Sequence, residues 1–152
     1  MLLTFPDKTV FATGVIDYWY QPATDWERTP RILVPIQIAH LPVTAMIDTG
    51  APYVVCTPEV ARNLALDPAD AMEPVTLSWH GRLTGHLHLL PVTLQAVQGD
   101  SLLVEATTFV PDVSSVTAWE RQRRPFVIGL GCLAKMRFAL DPNDDSFYFG
   151  PL

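Results

Sequence analysis

Asp48-Thr49-Gly50 lies between two apolar runs, residues 43–47 and 53–55. An extended apolar run would deliver the Asp48 carboxyl to a tight turn, and a second run would leave at once. Gly50 supplies backbone geometry that a larger residue resists. The Thr49 hydroxyl is placed to bond across a symmetric contact. Apolar surroundings favour the neutral form of a carboxyl that nothing else compensates, which suits acid–base chemistry. Asp and Gly are also ordinary turn residues. Simple turns, however, are usually bounded by polar residues, and here both flanks are apolar.

The elements that must position this turn read as mostly β. Fourteen prolines leave little room for long helices. Short runs rich in Val, Ile, Thr and aromatics alternate with turn signals. Strands are predicted over residues 10–16, 32–39, 43–47, 53–56, 75–79, 86–97, 102–110, 126–128, 137–140 and 146–149. Two short helices are predicted. Thr57 caps Pro58–Leu64, with Pro58 in the first turn where its missing N–H costs nothing; the other covers 131–136. Residues 20–30 and 111–125 read as loops, the latter holding Trp119, a basic run of Arg121, Arg123 and Arg124, and room for a short helix. Trp79-His80-Gly81-Arg82-Leu83-Thr84-Gly85 reads as a hairpin tip. With no repeat or linker, residues 1–152 are expected to form one domain.

A second motif lies downstream: Val127-Ile128-Gly129, followed by a short helix and a final pair of strands. With Asp48-Thr49-Gly50-Ala51 and the intervening hairpin, it gives an element order that resembles the retropepsin-like aspartic peptidases, the single-lobe relatives of pepsin. The resemblance runs from about Ile32 onward, and Asp-Thr-Gly-Ala is its most specific part. It implies an all-β, mostly antiparallel, closed acid-protease barrel with one or two short helices. Asp48 would be the catalytic residue and Thr49 would brace it. Gly50 and Ala51 would line the substrate backbone, residues 79–85 would form a flap, and Val127–Gly129 would pack beside the catalytic loop. Pro52 stands where viral members commonly carry an acidic residue. The tip has only Gly81 and Gly85 rather than a run of glycines, and 111–125 reads as an insertion.

Such peptidases need two carboxyls facing one water, and this chain has one such turn. A two-fold axis would supply the second from another copy, with residues 147–152 adding strands to the interface. The expectation is a homodimeric endopeptidase acting on peptide or protein substrates, without a cofactor, because the activated water attacks. Ala51 has no hydroxyl to donate to the carboxylate, so activity at mildly acidic pH is expected. The rivals are a catalytically idle binding or dimerisation module of the same fold, and an unrelated β-barrel with a fortuitous turn.

The remaining residues favour simpler roles. His86 and His88 alternate on one strand face near His80, without a Cys or carboxylate to complete a metal set, so a solvated face or a hairpin flank is expected. Residues 141–145 lack the glycine and terminal glutamate of a calcium loop and read as a turn. Cys56 and Cys132 match no metal spacing and read as small buried side chains. The net charge of −6 argues against nucleic acid. Apolar runs fall short of a membrane span, and the N-terminus does not read as a signal peptide, so a cytoplasmic location is expected.

Overall fold

The computed structural model describes residues 2–78, 82–122 and 124–152. Among them are fourteen strands: β1 (Leu3–Thr4), β2 (Val10–Ala12), β3 (Gly14–Asp17), β4 (Trp19–Gln21), β5 (Arg31–Ile38), β6 (Leu41–Ile47), β7 (Val54–Val55), β8 (Glu73–Leu77), β9 (Leu83–Leu94), β10 (Gln98–Gly99), β11 (Leu102–Pro111), β12 (Phe126–Ile128), β13 (Met136–Asp141) and β14 (Ser146–Pro151). Three short helices accompany them: α1 (Pro58–Leu64), α2 (Val116–Gln122) and α3 (Leu130–Leu133). The third helix beyond the predicted pair is α2, inside the 111–125 stretch.

One sheet runs β4-β5-β6-β12-β7-β11-β9-β8. β5 also pairs with β9 through Gln37–Thr93 and Ile38–Val92, so six of its strands return on themselves as a ring. A separate four-stranded sheet, β10-β3-β14-β13, stands apart from that ring. The expectation of a mostly β fold with few helices is met; this ring of strands does not establish the expected closed barrel. Pairing is mostly antiparallel, and the two parallel pairs, β6–β12 and β7–β11, both flank the Asp48 turn.

Period-two burial explains which runs became strands. In β5, Val34, Ile36 and Ile38 point inward and Pro35 outward. Pro35 falls between the stretches paired with β4 and with β9, where a missing N–H is tolerated. In β9 the two faces serve different cores. Leu83 and Leu87 join a cluster with Ala51, Val55, Phe109 and Val127, while Leu90, Val92 and Leu94 enter the main core with Phe147 and Phe149.

Several boundaries differ from the sequence reading. The predicted strand 10–16 breaks at Thr13, whose N–H donates to the Phe149 carbonyl at 3.0 Å. β9 begins at Leu83 rather than 86 and ends at Leu94, because Ala96 N–H turns to the Ser101 hydroxyl at 3.0 Å. The predicted 20–30 loop starts inside β4. The C-terminal segment is the main correction. β14 lies between β3 and β13 of its own chain, and Phe147 and Phe149 are fully buried there. Residues 146–149 are therefore paired on both edges within this fold and are not free to join a partner's sheet.

Candidate active site

β6 carries Ala45, Met46 and Ile47 to the turn, and β7 leads away from it four residues after Gly50. The turn is held by its own backbone: Ala51 N–H donates to the Asp48 carbonyl at 3.2 Å. Gly50 N–H donates to Asp48 Oδ1 at 2.8 Å, which fixes the carboxylate over the turn. Asp48 is partly open to solvent, and Thr49 and Gly50 are exposed. Ala51, by contrast, is buried against the second core.

β12 pins the turn from behind. It runs parallel to β6, with Val127 beside Met46 and Ile128 beside Ile47, and antiparallel to β7 at Val55. Asp48 N–H donates to the Ile128 carbonyl at 3.0 Å, and Leu130 N–H to the Ala51 carbonyl at 2.8 Å. A side chain at Gly129 would lie 2.1 Å from the Tyr53 carbonyl oxygen and 2.5 Å from that of Ala51. Glycine is what lets β12 approach this closely. The structure thus brings together Asp48, Thr49, Gly50 and Ala51 with Val127, Ile128 and Gly129.

A cleft of about 270 Å³ adjoins the turn, lined by Gly50, Ala51, Pro52 and Val55 on one side and Leu77 and Ser78 on the other. The latter two end β8, whose antiparallel partner is β9. Of the predicted hairpin tip, Trp79, His80 and Gly81 lie outside the described residues. Arg82 is exposed, whereas Leu83, Thr84 and Gly85 already belong to β9, opposite Leu77, Thr76 and Val75. Gly85 serves packing: a Cβ there would meet the Val110 carbonyl oxygen at 2.3 Å and the Phe109 ring at 2.6 Å.

Sequence reasoning missed what anchors this hairpin. Thr84 N–H donates to Ser115 Oγ at 2.9 Å, and Asp112 N–H donates to the Thr84 carbonyl at 2.9 Å. Trp119 of α2 is buried in the same cluster as Ala51, Leu77 and Leu83. The segment read as an insertion therefore braces the hairpin root and, through that shared core, the Asp48 turn. An aromatic amid polar and basic residues was the signal available.

His86 and His88 stand on the hairpin's β9, as the hairpin-flank expectation had it, but not on a fully solvated face. His88 is only 5 % exposed, and burial, with His86 close by, holds its ring below the usual histidine range. His86 Nδ1 lies 2.8 Å from Asp112 Oδ1. The solvated face is a half-buried one, because residues 86 and 88 share the face of Leu90 and Val92. Both cysteines are buried and free, and burial pushes each thiol up to about 12.

The aspartyl protease family profile matches residues 34–108, a span that holds the turn and the hairpin. No curated protein matches the chain in sequence. Among solved structures, a retropepsin-like aspartic protease from Rickettsia conorii is similar in fold, with a TM-score of 0.51 and 16% identity over 95% of this chain and 99% of that one. In fold the chain is similar to the retropepsin-like aspartic peptidases, and its Asp-Thr-Gly-Ala turn lies inside the span that the aspartyl protease family matches.

Proposed function

We propose that the chain is a homodimeric aspartic endopeptidase in which Asp48 from each of two copies activates one water. The observation that carries this reading is the Asp48 carboxylate itself: partly open, aimed by the Gly50 N–H, and beside a cleft under the β8–β9 hairpin. Two such carboxyls face to face cannot both ionise cheaply and share a proton. The ionised one takes a proton from the water as it adds to the peptide carbonyl. The protonated one donates to the carbonyl oxygen, and collapse of the adduct breaks the C–N bond as the amine is protonated.

Thr49 supports a two-fold arrangement, since it is exposed and makes no hydrogen bond through its hydroxyl among the described residues. In this reading it braces the pair, Gly50 and Ala51 line the substrate backbone, and the hairpin of residues 79–85 covers it. The absent hydroxyl at Ala51 favours a mildly acidic working range. The proposed setting is the cytoplasm; no helix among the described residues is long and apolar enough to cross a membrane. Pro52, exposed on the cleft rim, favours the second reading, a binding module of the same fold without turnover.

Cleavage of a mixed peptide library by the natural chain and by Asp48→Asn decides between them. A working dyad loses cleavage by at least about 10²–10⁴-fold, because the amide provides neither base nor shareable proton. Equal cleavage by both proteins would exclude Asp48 as the catalyst. A folded dimer that cleaves nothing would favour the binding module.

A further inference from the structure

A cavity larger than the cleft at Asp48 lies elsewhere among the described residues. About 690 Å³ in volume, it lies between α1, one face of β9 and the chain around 110–117, and shares no lining residue with that cleft. Its size falls within the roughly 300–1,000 Å³ of small-molecule sites. The room comes from three alanines in its walls, Ala61, Ala65 and Ala71, set against Leu66, Val110 and Val116.

A few polar groups converge on this apolar space, as in sites that orient a ligand. His88 is buried, reaches the cavity wall, and has no hydrogen bond through its ring among the described residues. Arg62 of α1 lines the same space, and among the described residues no carboxylate lies within ion-pair distance of it. The lining carboxylate, Asp112, is already taken up by His86 Nδ1 at 2.8 Å. An exposed guanidinium at the cavity's edge and a buried imidazole with no hydrogen-bond partner among the described residues therefore border a mostly apolar space, with Asp70 close enough to act on His88.

We propose that this cavity is a second ligand site, for a small monocarboxylic acid with an apolar body. The carboxylate accepts from the Arg62 guanidinium, with the His88 ring as a further donor, and the body fills the space beside the alanines. Guanidinium–carboxylate bonds are among the stronger hydrogen bonds, which sets an acid apart from a neutral ligand of equal size. The site does not depend on turnover at Asp48. It does adjoin the hairpin, since His86 and His88 stand on β9, opposite Val110 and Thr108 of β11.

Octanoate and 1-octanol, titrated by calorimetry into the full chain, test the proposal. Octanoate is expected to bind saturably with one site per chain, more tightly than octanol. Arg62→Gln should weaken octanoate roughly tenfold and leave octanol nearly unchanged. Ala71→Trp should fill the cavity and abolish binding of both. Should that variant not fold, methyl shifts of Ala61, Leu66, Val110 and Val116 in the natural chain must move with octanoate. Absence of saturable binding, equal affinity for acid and alcohol, insensitivity to Arg62→Gln, or shifts confined to residues outside the cavity would each overturn it.

Discussion

Gly129 lies against Ala51 so closely that a Cβ on the glycine would come within 2.9 Å of the alanine's own Cβ. The nearer obstacles are two backbone carbonyl oxygens, those of Tyr53 and Ala51, and backbone cannot swing aside as a side-chain end can. The contact ties the downstream motif closely to the Asp48 turn.

Gly129→Ala is accordingly expected to destabilise the fold by about 3 kcal/mol or more, at the top of the usual overpacking range. Denaturant unfolding checks this. A loss below about 1 kcal/mol would show that β12 can slide away from the turn.

Assembly gives the next test, since one Asp48 turn per chain requires a partner for the proposed chemistry. Sedimentation over a concentration series should show a monomer–dimer equilibrium that shifts to dimer when concentrated. A strict monomer at every concentration would remove the two-carboxyl mechanism. Because β14 is already flanked by β3 and β13, deleting residues 147–152 should unfold the chain rather than leave a folded monomer.

How much was legible follows from local chemistry. Thr57 and Pro58 announced α1 to the residue: Thr57 Oγ1 accepts the Val60 N–H at 3.3 Å, and Ala65 ends the helix in left-handed geometry at φ 49°. Residues 141–145 were legible as a turn, closed by Asn143 N–H on Asp141 Oδ1 at 2.9 Å. The Asp48 turn was legible because apolar runs flank it, and β12 because it is itself a short apolar run ending at Gly129. The hairpin's bracing was not, because Thr84 and Ser115 are distant in sequence and nothing local encodes their bond. His88 lay between these cases. Positions 86, 88, 90, 92 and 94 share a face, and reading that alternation through to Leu94 would have turned the histidines inward.

Burial of His88 has a pH consequence. Its folded-state proton affinity lies below the ordinary histidine value of 6.5, so the unfolded chain binds the proton more readily. Stability from this group is fully present above about pH 6.5 and is lost as pH falls through the lowered folded value. The difference in melting temperature between pH 7.5 and pH 5.5 (both about these values) should shrink in His88→Gln. An unchanged difference would assign the acid sensitivity to other groups.

Cys56 and Cys132 should resist thiol reagents in the folded chain, because their raised proton affinity leaves almost no thiolate at neutral or mildly alkaline pH. A chromogenic disulfide reagent should read no thiol before denaturation and two after it. Rapid native labelling would mean that the core around them opens readily.

The placement of β14 also bears on how the chain comes to fold. Its partner β3 lies near the opposite end of the sequence, with Gly14 paired to Phe149. Until β14 has been synthesised, β3 and β13 have a gap between them and expose unpaired edges. Contacts of such separation form late, since a long loop must close before they bring any gain. A nascent chain therefore completes the hairpin and the Asp48 turn before the sheet beside them can exist. During that interval its open edges are the surface most exposed to aggregation or in need of a chaperone.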